Sequence, residues 1–431
     1  MDRKKIYRKI LFMALIITLV TSATFYVYYL KGQIPEQIRI VVGKEEDFNF
    51  SMSLLGMPLL GEGDFTSVGA MNLNKKRLEG QIKMDFSQPF SLKAERTGEV
   101  IVRLKIIGLI PIQEIRVNVV QPQEVIPCGM PIGIYVETNG LLVLGTGEIR
   151  NSEGEIVEPA KNILQTGDYI LAINGEEVES TKELKTYVEK SEGQTLVLNI
   201  RRNKQESKVK VVPTEDENGI CKAGIWVRDS TQGIGTLTYV TMEEEYAALG
   251  HGITDVDTGL LMEIEKGYLY RAKVLTISKG VAGTPGELIG VINKTQKNKI
   301  GYIETNTVNG ITGALVSDVI SEFQDEPIPI GYRQDVSLGK AYVRSYVSGQ
   351  AVDYEIEIEE LEEGKGESGR GMVIRVTDER LLELTGGIVQ GMSGSPVIQN
   401  GRIVGAVTHV LVNDPTRGYG IFIENMLEAA K

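Results

Sequence analysis

The chain has 431 residues, with 58 acidic and 46 basic side chains and a formal net charge of −12. Hydrophobic residues make up 42% and charged residues 24%, which excludes a chain disordered throughout. The acidic balance argues against nucleic acid as a partner, since a nucleic-acid surface calls for a basic face. With only two histidines, His251 and His409, and two cysteines, Cys128 and Cys221, a disulfide framework and a multi-site zinc protein are both excluded. The length is that of roughly two to four domains.

Residues 1–9 form a basic tail carrying Arg3, Lys4, Lys5, Arg8 and Lys9 against Asp2. Ile10 to Leu30 then runs without a charge, and as a helix spans about 32 Å, one hydrocarbon core. We read residues 10–30 as a transmembrane signal anchor, with the basic flank in the cytoplasm and the bulk of the chain exported. A cleaved secretory signal is the alternative, and its apolar region is normally shorter. In an oxidising compartment Cys128 and Cys221 can pair or stay as two buried thiols; the sequence does not choose.

Residues 34–120 read as a small β domain. Ile38–Val42, Val100–Ile106 and Ile115–Val119 alternate apolar and polar residues as half-buried strands do. No catalytic constellation stands there, and a spacer or docking role is expected. Residues 121–213 hold Gly167-Asp168-Tyr169-Ile170-Leu171-Ala172-Ile173-Asn174-Gly175, in which Asn174-Gly175 is a hairpin signal. An amphipathic helix over Thr181 to Lys190, with Thr181 near its cap, and a strand over Leu196 to Arg202 follow. This order resembles a PDZ domain. The resemblance implies a peptide-binding loop at Met130 to Ile134, with Met130, Ile132, Gly133 and Ile134 offering backbone groups to an extended peptide. Pro131 has no N–H to donate, so internal or intramolecular peptides suit that loop better than a free carboxylate.

Residues 219–431 carry the chemistry. Gly391-Met392-Ser393-Gly394-Ser395-Pro396 lies between apolar runs, and Asn400-Gly401 follows as a hairpin signal. Glycines on both sides permit a tight turn that exposes a serine. Such a turn resembles the nucleophile loop of trypsin-like serine peptidases. Ser393 is preferred over Ser395 as nucleophile because the glycines bracket it, and the N–H groups of Gly391 and Ser393 form the expected oxyanion hole. A serine needs a base. His251, flanked by Gly250 and Gly252, is preferred over His409, which sits inside a β-rich run. For the orienting carboxylate, Asp255, Asp257, Asp318, Asp335, Asp378 and Asp414 all remain open on spacing alone.

The runs Leu249-Gly250-His251-Gly252-Ile253-Thr254-Asp255, Val376-Thr377-Asp378 and Thr385 to Pro396 resemble the stage IV sporulation protein B family of serine peptidases. That resemblance implies a mainly β chain with some α: a membrane helix, a small β domain, a PDZ domain and a trypsin-like β-barrel peptidase. It implies His251 as base, Asp378 as orienter and Ser393 as nucleophile, with no metal and no cofactor. It further implies self-processing, and cleavage of a regulatory membrane protein in signalling between forespore and mother cell during endospore formation. Two departures from trypsin stand out. Asp378 lies close before Ser393 in sequence, and Met392 replaces an acidic residue. A catalytically inactive, membrane-tethered PDZ adaptor is the competing class. The acidic run Glu355, Glu357, Glu359, Glu360, Glu362, Glu363 and Glu367 reads as a solvated strand or loop face.

Overall fold

The structure is a computed structural model that describes residues 3–34, 36–48, 59–69, 81–316, 319–323, 325–362 and 370–429. The chain divides into two compact units, Met1–Gln123 with Leu361–Glu367, and Glu124–Glu360 with Ser368–Lys431.

In the first unit a single helix, Arg3–Gln33, contains the apolar stretch Ile6–Tyr29, long and apolar enough to cross a membrane. The β part is a five-stranded sheet in the order Gln37–Val41, Ile110–Val120, Gly98–Ile106, Leu59–Asp64, Gln81–Asp85. The first pair is parallel and the others are antiparallel. Val100, Val102, Leu104 and Ile106 face inward against Ile115, Val117 and Val119, the period-2 pattern expected from sequence.

The second unit is organised by two strands of 16 residues each, Pro131–Thr146 and Ile225–Val240. They pair antiparallel from Ile225 opposite Thr146 to Thr236 opposite Pro131, with irregularities at Trp226/Val227 and Arg228/Ser230. One end of this ribbon belongs to a six-stranded barrel. Pro131 to Thr138 also pairs with Ile264–Ser278, which pairs with Lys299–Thr307, then Gly310–Leu315, then Glu245–Ala248, and so back to Ile225–Val240. Ile132, Ile134, Val136, Leu237, Tyr246, Leu269, Ile300 and Ile311 fill it. Each such side chain taken fully from water contributes about 1.5–3 kcal/mol.

The other end of the ribbon belongs to the PDZ-like segment, so that segment is an insertion into the barrel. Its sheet adds Tyr169–Ile173, Leu196–Arg202 and Gln205–Val211 beside Leu141 and Leu142. The helix Thr181–Lys190 buries Leu184 and Val188 on that sheet's core. Ser180, one residue before the position expected, caps the helix: its hydroxyl accepts from Glu183 N, and the Glu183 side chain returns to the cap backbone. Asn174 and Gly175, at φ +54° and +91°, make the expected hairpin.

A second closed barrel takes its strands in the order Gly339–Ser345, Val352–Leu361, Met372–Val376, Asp414–Phe422, Arg402–Leu411, Pro396–Gln399. The acidic run is one of these strands. Glu355, Glu357 and Glu359 meet Lys340, Arg375 and Arg417 across the sheet, and Glu363 and Glu367 lie outside the described residues. Both cysteines are buried and free, Cys128 in the first barrel's core.

The pairing sets a boundary that differs from the one read in sequence. Residues 131–138, placed there in the PDZ segment, are a wall of the first barrel. A fragment of residues 219–431 therefore lacks one strand of that barrel and is expected to show no cooperative thermal transition. A fragment of residues 124–431 is expected to melt cooperatively. Circular dichroism melts of both fragments check this.

Candidate active site

The serine loop runs from Gly386, which ends the helix Glu379–Thr385, to Pro396, which starts a barrel strand. Gly391 and Gly394 adopt φ of +97° and +99°, and a Cβ on Gly394 would stand 2.1 Å from the Thr236 carbonyl oxygen. Gln390 O accepts from Leu288 N at 2.8 Å, and Met392 O accepts from Ser395 N at 2.9 Å. In a trans peptide the N–H points opposite to the C=O, so these two bonds turn the N–H groups of Gly391 and Ser393 away from their neighbours. Among the described residues neither N–H donates within the chain, which is the state an oxyanion hole requires.

Ser393 is half-buried, and its hydroxyl donates to Thr408 O at 2.6 Å. Ser395, the other serine of the turn, is fully buried and its Oγ has no partner, so no substrate reaches it. His251 follows the strand Glu245–Ala248 after two residues with positive φ, Leu249 and Gly250, both at +72°. Its Nδ1 lies 2.9 Å from Gly252 O. A carbonyl only accepts, so Nδ1 carries the proton and Nε2 keeps its lone pair for use as a base. Burial holds the His251 imidazole below the ordinary histidine range, partly offset by the bond to Gly252 O.

The two loops meet. Thr236 N donates to Ser393 O at 3.0 Å, and Thr236 O accepts from Leu249 N at 3.2 Å. A Cβ on Gly250 would touch Thr408 Cγ2 at 3.0 Å. The rings of His251 and His409 face one another, centroids 4.9 Å apart and inclined by 36°. Removal from water pushes His409 down to about 4, and the neighbouring His251 and Arg370 act in the same direction. The chain's two histidines thus lie side by side, His409 on the strand Arg402–Leu411.

Asp378 is not brought to His251. It is the N-cap of the helix Glu379–Thr385, and its carboxylate accepts from Arg380 N, Nε and Nη2 at 3.0, 3.0 and 2.7 Å and from Glu355 N at 3.1 Å. Arg380 first, and then the backbone donors of Glu355 and Arg380, hold it down to about 2 against the opposing effect of burial. The other candidates are also engaged elsewhere. Asp255 and Asp257 bind Arg228, Asp335 binds Arg402, and Asp414 binds Thr416. Asp318 lies outside the described residues. Among the described residues the hydrogen-bond partner of His251 Nδ1 is a backbone carbonyl rather than a carboxylate.

Met130, Ile132, Gly133 and Ile134 are likewise placed away from the PDZ segment. Ile132 to Ile134 is paired on both sides within the first barrel, and Ile132 and Ile134 point into its core. The open sheet edge of the PDZ segment is the stretch Ile225 to Asp229. It pairs on one side with Leu142 to Thr146, and among the described residues carries no ladder on the other. The helix Thr181–Lys190 is tied to it where Thr181 N and Oγ1 donate to Asp229 Oδ2 at 2.9 and 3.0 Å. Trp226 is 67% exposed there, while Ile225 and Val227 pack on the core. The sequence signal was Ala223-Gly224-Ile225-Trp226-Val227, a glycine before an apolar run, with Gly224 at φ +61°. Such an edge beside a helix suits strand addition by a peptide. No group of three or more potential metal ligands occurs among the described residues.

Two β-barrels with a serine loop and a histidine between them, and a PDZ domain set into one barrel, define a serine peptidase with its own peptide-binding module. Residues 219–427 match the family SpoIVB peptidase S55, and residues 150–212 match the PDZ domain family. These two matches support a SpoIVB-like serine peptidase that carries a PDZ domain. No curated protein matches it. Among solved structures, the PDZ domain of the SdrC-like protein from Listeria monocytogenes is 23% identical, with 21% of this chain and 87% of that one covered and a TM-score of 0.17. The active form of the Rv3671c protease from M. tuberculosis is 14% identical, covering 46% and 74%, with a TM-score of 0.29. An HtrA-type protease, AlgW, solved with a decapeptide, is 7% identical, covering 70% and 62%, with a TM-score of 0.30.

Two predictions follow from the site. If Asp378 acts as a helix cap, Asp378→Ser, which also caps, keeps the rate of labelling by a serine-directed phosphonate within a few-fold, whereas Asp378→Ala costs about 1 kcal/mol of stability. A folded Asp378→Ser that cannot be labelled would instead make the carboxylate part of the catalytic relay. The second concerns pH. If His251 is the base, it acts in its neutral form, and burial lowers its pKa, so the neutral form persists below the ordinary value of 6.5. The acid limb of the labelling-rate profile is expected below pH 6.5; a midpoint above that value would contradict the burial of the base.

Proposed function

We propose that this chain is a membrane-anchored, exported serine endopeptidase in which Ser393 is the nucleophile and His251 the general base. The observation that carries the reading is the pairing of two undonated N–H groups, at Gly391 and Ser393, with a histidine whose Nε2 is free on the adjoining loop. In the mechanism the Ser393 hydroxyl leaves Thr408 O and turns to His251 Nε2, which takes its proton as Oγ attacks a peptide carbonyl. The carbonyl oxygen, now negative, is received by the N–H groups of Gly391 and Ser393; one such donor contributes about 10²–10³ in rate in comparable sites. The imidazolium then returns the proton to the leaving amine, and water, deprotonated by the same ring, releases the acyl group. Asp378 supports the site by fixing the helix that delivers the serine loop.

The substrate proposed is a regulatory membrane protein, together with the chain itself, acted on during endospore formation to trigger intercompartmental sigma-factor activation. The S55 family match supports that setting, and the helix Arg3–Gln33 supports work at a membrane surface. The PDZ edge at Ile225 to Asp229 is proposed to hold an extended segment of the substrate or of this chain.

The test compares the full chain in detergent with Ser393→Ala, each incubated, treated with a fluorescent phosphonate and run on a denaturing gel. Self-cleavage and labelling in the wild type alone are the expected result. Folded protein that stays intact and unlabelled in both lanes would favour the inactive PDZ adaptor.

A further inference from the structure

Thr236 lies on the strand Ile225–Val240 in the first barrel, yet three of its polar groups bind the two catalytic loops. Its hydroxyl donates to Gly391 O at 2.7 Å, its N–H to Ser393 O at 3.0 Å, and its carbonyl accepts from Leu249 N at 3.2 Å. The side chain is buried. The consequence follows from peptide geometry. A backbone N–H lies in the peptide plane that precedes its Cα, and an anchor on the plane that follows limits rotation about that Cα. For Gly391 the preceding plane is pinned by Leu288 N on Gln390 O, and the following plane by the Thr236 hydroxyl. For Ser393 the preceding plane is pinned by Ser395 N on Met392 O, and the following plane by Thr236 N. One residue therefore anchors the plane that follows each of the two proposed oxyanion donors. The same residue holds Leu249, a non-glycine residue at φ +72°, two positions before His251.

We propose that Thr236 is a positioning residue of the peptidase reaction, whose hydroxyl aims the oxyanion hole at the developing charge. The proposal rests on the reading of Ser393 as nucleophile. It has a separable test, because Thr236→Val keeps the shape and both backbone groups and removes only the hydroxyl.

The experiment uses the full chain in detergent and a fluorescent diphenyl phosphonate, whose attack by a serine develops negative charge on a phosphoryl oxygen. The maximal inactivation rate and the half-saturating probe concentration are measured separately, with melting temperature on the same samples. For Thr236→Val the expected rate falls about ten- to hundred-fold, while half-saturation stays within about three-fold. Thr236→Ser is expected to recover to within about three-fold of wild type, and Thr236→Cys, a weak donor, to fall between Ser and Val. The Ser-to-Cys order keeps the test alive should Thr236→Val fail to melt cooperatively. A Thr236→Val rate equal to wild type, or equal rates for Ser and Cys, overturns the proposal. If Ser393→Ala labels as the wild type does, the nucleophile assignment itself falls; if Ser393→Ala is inert and Thr236→Val unchanged, the role of Thr236 alone falls.

Discussion

The antiparallel pairing of Pro131–Thr146 with Ile225–Val240 is the constraint on which the second unit depends. Two strands of 16 residues are too long for one small barrel, and the excess is used as the base of the PDZ sheet. One ribbon therefore supplies a wall of the first barrel, a sheet edge at Ile225 to Asp229 that is open among the described residues, and the contacts of Thr236. The same strand reaches the base loop by a second route. Arg228 is paired with Asp255, which is fully buried and lies four residues beyond His251. A buried carboxylate without that guanidinium would be left uncompensated, at a cost of several kcal/mol. The PDZ edge and both catalytic loops thus share one piece of hydrogen-bonded backbone.

The site is built from backbone groups more than from side chains. The proposed oxyanion donors are amides, their directions are set by carbonyl contacts, and the His251 tautomer is fixed by Gly252 O. Backbone dipoles of this kind are already oriented before charge develops, so little reorganisation remains for the reaction step. A carbonyl orients an imidazole but offers less charge to an imidazolium than a carboxylate does. The low basicity that burial gives His251 agrees with that weaker support. His251 in turn adds to the lowering of His409, since two facing imidazoles resist a shared positive charge.

Local chemistry was legible in the sequence, and distant pairing was not. The hairpins at Asn174-Gly175 and Asn400-Gly401 follow from residues that accept positive φ, and they stand where the sequence put them. The alternation in Val100–Ile106 and Ile115–Val119 gave strands for the same reason. The turn around Ser393 declared itself through Gly391 and Gly394, and His251 through its glycine neighbours. The run Pro131 to Ile134 was read as a PDZ loop because apolar residues with proline and glycine look alike in a loop and in a buried strand. Its partners Gly233 to Thr236 stand about a hundred positions later, and no local period reports them. Asp378 shows the opposite case. Its principal partner is Arg380, two residues on, so a nearby cap competed with any distant histidine for the carboxylate.

The resting position of Ser393 joins these threads. Its hydroxyl is spent on Thr408 O, a carbonyl on the strand that also carries His409. An extended peptide laid against that strand brings its own N–H groups, and a backbone N–H is a good match for a strand carbonyl. Occupation of Thr408 O by a substrate amide removes the acceptor that holds the serine. The hydroxyl then has His251 Nε2 as the neighbouring base. Water alone is a poor substitute, because it leaves no peptide carbonyl above the amides of Gly391 and Ser393. If Ser393 is the nucleophile proposed above, its hydroxyl has to leave Thr408 O before it attacks, and that hydrogen bond is the resting contact the reaction must break.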